Sequence, residues 1–171
     1  MGFYERQVLP RVVNVACGTK MVGPLRRRVC DGLAGDVVEI GFGSGLNIPF
    51  YPAAVTRVAA VEPSDLGWQL AGHRLKAASV PVQRSGLDGQ SLPLEDDSYD
   101  AALSTWTLCT IPDAAAALRE VRRVLKPGAP CTSWSTGWPL TRMCAAGNDA
   151  STRCSSACSA GATSPGPSLT C

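Results

Sequence analysis

The stretch Val37-Val38-Glu39-Ile40-Gly41-Phe42-Gly43-Ser44-Gly45 decides the reading of this chain. Its apolar, β-branched start predicts a buried strand, and that strand ends abruptly at glycines. Glycines at such a turn let the backbone reverse sharply and approach a ligand with no Cβ between them. A short helix can begin at Leu46, limited by Pro49 and Pro52. The spacing differs from the dinucleotide turn G-x-G-x-x-G, because the third glycine comes one residue early. An acid, Glu39, stands two positions before the first glycine.

Outward from that turn, strands and helices alternate. Arg57-Val58-Ala59-Ala60-Val61-Glu62 predicts a second strand, ended by Pro63, and Ser64 or Asp65 can cap a helix running to about Ala78. Val80-Pro81-Val82-Gln83-Arg84 predicts a weak third strand, placed at an edge because proline donates nothing to a ladder. Tyr99-Asp100-Ala101-Ala102-Leu103-Ser104 predicts a fourth. The clearest helix runs from Asp113 to Leu125: Asp113 caps it and Leu118, Val121, Val124 and Leu125 share a face. Arg119, Glu120, Arg122 and Arg123 are expected to face water, and Pro127-Gly128 ends the helix. Residues 4–33 read as helical or irregular, and Arg26-Arg27-Arg28 as a solvated helix face. The alternation implies βαβ units and a parallel sheet.

Two further acidic markers follow the second and third strands. Glu62 lies 17 residues after Gly45, at the carboxyl end of the second strand, which sets it beside the glycine turn in an open parallel sheet. A carboxylate there can accept from both hydroxyls of a ribose and repels a 2′-phosphate, favouring an adenosine-type ligand. Asp88, in L-D-G-Q-S-L-P, can accept from the exocyclic amine of adenine. The acidic turn L-E-D-D-S-Y-D then leads into the fourth strand.

E-x-G-x-G-x-G, the ribose acid, D-x-x-x-L-P, S-Y-D and L-R-E-V-R-R-V-L-K-P-G occur in order over about residues 4–128. The set resembles the class I S-adenosylmethionine-dependent methyltransferases. N-I-P-F-Y-P, T-L-C-T-I-P-D and the N-terminal F-Y resemble the small-molecule branch with thiol S-methyltransferase-like and phosphatidylethanolamine N-methyltransferase-like members. The resemblance implies an α/β, Rossmann-like methyltransferase fold with S-adenosylmethionine as cofactor. Glu39, Gly41, Gly43 and Gly45 would line its methionine and ribose part, Glu62 would hold the ribose diol, and Asp88 with Leu87 would hold adenine. Ser104 to Trp106 would face the sulfonium, and Tyr4 would help close the site. The implied reaction is methyl transfer to a small thiol, amine or lipid headgroup, with no catalytic base assigned. Two other readings stay open: a non-catalytic nucleotide-binding remnant, and an NAD-linked oxidoreductase. His73 is expected on the surface, Cys109 as a small buried apolar residue, and Trp106 against ligand.

Composition sets limits and exposes a break. With 171 residues, 45% apolar and 18% charged, the chain reads as one globular domain. A net charge of +2 is too small to argue for nucleic acid or an anionic membrane as partner, and no nucleic acid is expected. No stretch is long and apolar enough for membrane insertion, and MGFYERQ is not a secretion signal, so a cytoplasmic protein is expected. Oligomeric state stays open. Residues 130–171 hold five of eight cysteines, fourteen Ser or Thr and only three charged residues, with no Val, Ile, Phe, Lys or Glu. A zinc site on Cys154 and Cys158 lacks a second ligand pair, so no metal is expected. A reading-frame shift near Gly128–Pro130 explains the break better. One shifted reading of residues 130–171 that the genetic code allows contains no stop and includes V-E-H-G and G-C-H-L-T-R, which resemble the same methyltransferase branch. The expected organisation is a helical cap (1–34), a cofactor-binding α/β core (35–129) and a non-native, disordered tail (130–171), with the C-terminal strands missing or non-native and the fourth strand left as a bare edge.

Overall fold

Runs of Val, Ala and Ile separated by glycine and proline build the centre of a parallel sheet. The computed structural model describes residues 9–19, 21–135 and 138–144. Along these residues lie α1 (Leu9–Cys17), α2 (Gly23–Cys30), β1 (Gly35–Ile40), β2 (Val55–Val61), α3 (Asp65–Leu70), α4 (Gly72–Lys76), β3 (Val82–Gly86), β4 (Ala101–Thr105), α5 (Ala114–Val124), β5 (Pro130–Ser135) and β6 (Trp138–Cys144). The sheet order is β3-β2-β1-β4-β5-β6. Every neighbouring pair from β3 to β5 is parallel, and β6 returns antiparallel to β5. The chain builds outward from β1 to β3, then crosses to β4 on the other side of β1. The order therefore reverses between β1 and β4, where an open parallel sheet leaves a ligand crevice beyond its strand ends.

Strand alternation sends side chains to two covered faces. Val38, Ile40, Ala59, Val61 and Ala102 pack against Val121, Val124 and Leu125 from the α5 side. Val37, Val58, Ala101 and Leu103 pack against Val29, Cys30 and Leu33 from the α2 side. Asp113 caps α5 by accepting from the Ala116 N–H at 2.8 Å, and Pro127-Gly128 follows its end with Gly128 at φ +79°.

Several elements differ from the sequence reading. The helix expected to reach Ala78 divides at Ala71 into α3 and α4, with Gly67 and Gly72 weakening it on either side. Its cap is Ser64, which accepts from the Gly67 N–H at 3.0 Å. β3 begins two residues later than expected, after Pro81, and occupies an edge as expected. β4 begins at Ala101, and Tyr99 makes only an isolated bridge to Leu125.

The expected bare edge at β4 is corrected. Ala102 to Thr105 pair in parallel with Cys131 to Trp134. Backbone groups form this ladder, so a Ser/Thr-rich segment can fill it, and Cys131 adds its side chain to the α5-side core. Residues 145–171, Tyr4, Cys154 and Cys158 lie outside the described residues.

Candidate active site

The glycine turn leaves β1 at its carboxyl end. Gly41, Gly43 and Gly45 have φ of +74°, +59° and +72°, a left-handed conformation that costs other residues roughly 1–2 kcal/mol. Space is equally restrictive at Gly41, where an added Cβ would lie 1.9 Å from Thr107 Oγ1. Glu62 closes the turn from the end of β2. Its Oε2 accepts from the Gly43 N–H at 2.5 Å and its Oε1 from the Ser64 N–H at 2.7 Å. One buried carboxylate thus joins the glycine turn to the first turn of α3. Burial pushes its pKa up, opposed by those two backbone donors.

Glu39 lies on the other side of the turn with no solvent exposure. It accepts from Asn47 Nδ2 at 2.8 Å and from the Tyr51 hydroxyl. Burial raises its pKa to about 7, although both donors and the more distant Arg26 favour the anion. Arg26 completes the network: Nη1 donates to Asn47 Oδ1 at 2.6 Å and to Thr105 Oγ1 at 3.4 Å, and Nη2 donates to the Cys17 carbonyl at 3.2 Å. The guanidinium also stacks 4.6 Å from the Trp106 ring centroid. Asn47 therefore stands between a buried cation and a buried acid, bonding to both.

α1 reaches the same turn from outside. Asn14 Oδ1 accepts from Ser44 Oγ at 2.7 Å and from Arg74 Nη1 at 3.3 Å, while Arg74 also donates to the Ser44 carbonyl at 2.9 Å. The turn is thereby tied to α1 and α4 as well as to β2.

Beyond β3 a cavity of about 580 Å³ is lined by Arg84, Ser85, Gly86, Leu87, Asp88, Ser91, Leu92 and Pro93. Leu87 is 60% exposed, so its apolar side chain is available to a ligand. Asp88 Oδ1 accepts from the Gln90 N–H at 2.8 Å and Gln90 Nε2 at 3.2 Å, which fixes the carboxylate at the cavity wall. Arg84 donates twice to the Glu62 carbonyl, at 3.0 and 2.7 Å, linking this wall to the end of β2.

The structure brings Glu39, Gly41, Gly43, Gly45 and Glu62 together around one turn, with Leu87 and Asp88 at the adjoining cavity. Trp106 adopts φ +56° at the end of β4, half-buried against Arg26. Ser104 is buried with its Oγ unpartnered. Alternation places it on the Ala102 face of β4, opposite Thr105, so Thr105 rather than Ser104 joins the Glu39 network. His73 is exposed, as expected. Cys109 is exposed, not buried, because it lies in the short turn Leu108–Thr110 beyond the end of β4.

Arg26 is the main residue misjudged from sequence. Arg27 and Arg28 face outward, but Arg26 is only 5% exposed. Its spacing to buried Val29 and Cys30, three and four residues on, marks the inward helix face and could have identified it. Asn47, Tyr51 and Thr105 gave no comparable signal, since their roles arise from long-range contacts.

The family model for a methyltransferase domain matches residues 38–132, more than half of the chain. The chain belongs to the methyltransferase domain family. Human thiol S-methyltransferase TMT1B is 34% identical over 110 residues, covering 60% of this chain and 44% of that protein. Demethylmenaquinone methyltransferase of Corynebacterium kroppenstedtii is 34% identical over 105 residues, covering 61% and 43%. The chain thus spans less than half the length of these curated relatives. A SAM-dependent methyltransferase of Thermotoga maritima, a possible histamine N-methyltransferase, superposes with a TM-score of 0.57 at 28% identity, covering 76% of this chain and 58% of that one. A SAM-dependent methyltransferase of Aquifex aeolicus shares the fold, with a TM-score of 0.58 at 18% identity over 72% and 71% of the two chains.

Proposed function

We propose that the chain binds S-adenosylmethionine and transfers its methyl group to a small-molecule nucleophile. The observation carrying this reading is the Glu62 bridge between Gly43 and Ser64 at the crevice where the strand order reverses. Two backbone donors fix this carboxylate, and each oxygen retains acceptor capacity for a ribose hydroxyl. The glycine turn leaves room for close approach, and the cavity beyond β3 offers Leu87 and Asp88 to adenine. Glu39 orders the floor beneath the methionyl part through Asn47 and Tyr51. Trp106 and Ser104 at the end of β4 lie toward the sulfonium side. When bound, the cofactor supplies an electrophilic methyl. The protein's residues hold it in line with the nucleophile and exclude water, which can lower a barrier by roughly 7–11 kcal/mol.

The acceptor in this reading is a small thiol, amine or lipid headgroup, and the thiol and quinone substrates in the relatives' names support a small-molecule nucleophile. Incubation with methyl-labelled S-adenosylmethionine and separate thiol, amine, lipid and quinone acceptors tests it. Label should move to one class, and NAD should not compete. Binding without transfer to any of them would favour the nucleotide-binding remnant.

For residues 130–171 we infer a shifted reading frame, supported by the change in composition after Ala129. The genomic sequence over codons 126–131 tests it. One inserted or deleted base should restore the alternative frame, and stops in that frame would overturn the inference.

A further inference from the structure

Residues 87–98 contain neither helix nor regular strand, yet they form much of the cavity wall next to Glu62. A segment without a ladder must find other partners for its backbone. Here α5 supplies them. Glu120 Oε2 accepts from the Leu92 N–H at 2.8 Å, and Arg123 donates to the Leu92 carbonyl at 2.9 Å and the Leu94 carbonyl at 2.8 Å. The Arg123 carbonyl in turn accepts from the Asp97 N–H at 3.0 Å. Arg123 is itself fixed to Glu120 by two bonds, at 2.8 and 2.7 Å, and to Asp96 by one at 2.5 Å.

The other end of α5 grips the same loop. The Asp113 N–H, at the α5 cap, donates to Gln90 Oε1 at 3.0 Å. Gln90 Nε2 donates to Asp88 Oδ1, so the second oxygen of Asp88 is left for a ligand. The loop also has little freedom to shift inward, since a Cβ at Gly89 would lie 3.1 Å from Ile40 Cγ2. Glu120 and Arg123 thus face the loop, not the water expected of them.

We propose that Gln90 and the Glu120–Arg123 pair are positioning residues that set base preference by fixing the Asp88 loop against α5. This rests on the reading of the neighbouring cavity as the adenine pocket. A free loop would let Asp88 turn to solvent, so the exocyclic amine of adenine would lose its acceptor while ribose contacts through Glu62 remained.

Calorimetric titration of the full chain with S-adenosylhomocysteine and S-inosylhomocysteine tests the proposal. The inosine ligand carries a carbonyl where adenine carries the amine. The unaltered protein should prefer the adenine ligand by roughly tenfold, the value of one charge-assisted hydrogen bond. Arg123→Met and Gln90→Ala should each bring the ratio to within about threefold of unity, mostly through weaker adenine binding. A purely structural role would lower Tm and leave the ratio intact; that result in both variants would overturn the proposal. Should Arg123→Met not fold, an unchanged ratio in Gln90→Ala alone overturns it. If the unaltered protein shows no preference, the adenine-pocket reading has failed, and the positioning claim falls with it.

Discussion

Glu39 has no solvent to stabilise its charge, and Asn47 stands between it and the Arg26 guanidinium. Its folded pKa of about 7 lies above the ordinary 4.5, so the folded chain holds this proton more tightly than the unfolded one. Stability from this group is full below pH 4.5 and is lost as pH rises through about 7. Glu39→Gln should remove that component, flattening the decline in urea midpoint between pH 5 and pH 8 relative to the unaltered chain. Equal slopes would show that Glu39 does not titrate in this window. Gly41→Ala meets two obstacles: the positive φ and the approach to Thr107. A loss of roughly 2–5 kcal/mol is expected in chemical denaturation, combining left-handed strain with overpacking. Little change there would mean that the turn relaxes without cost.

At the scale of elements, α5 both covers the sheet and organises the loop beside it. Leu125, immediately after its last turn, is buried among Val38, Val61 and Ala102. Leu125→Ala should cost about 2–5 kcal/mol, whereas Asp113→Ala, which removes the cap, should cost about 1 kcal/mol. Urea unfolding separates the two, and an equal loss would contradict the assignment of one to core and the other to a helix end. These elements were legible in the sequence for a local reason. Val37 to Gly45 states strand and turn within nine residues, and Asp113 to Gly128 carries a cap, an apolar stripe and a stop. Glu62 was also legible, since strand length and sheet geometry place it beside the turn. The Arg26–Asn47–Glu39–Thr105 network was not, because it joins four separate segments and no short window contains it. The use of Glu120 and Arg123 as loop partners was hidden in the same way: charge spacing along a helix matches a solvated face until an irregular loop packs on it.

Across the described residues, the parallel order β3-β2-β1-β4-β5 reverses between β1 and β4; Glu62 ties the glycine turn at the end of β1 to the end of β2, and the Asp88 loop lines the cavity beyond β3. The break in composition after Ala129 did not leave β4 unpaired, because β5 completes that ladder through backbone groups. Composition reports side-chain chemistry, whereas an open strand edge needs only backbone donors and acceptors, so a polar segment joins the sheet without a compositional signal. Calorimetric titration with S-adenosylhomocysteine, comparing the unaltered full chain with Glu62→Ala, tests the cofactor site most directly. Saturable binding is expected, weakened at least roughly tenfold by loss of the carboxylate's charge-assisted bonds to ribose, with circular dichroism showing both proteins folded. No binding by the folded unaltered chain, or equal binding by the two, would contradict a cofactor site built on Glu62.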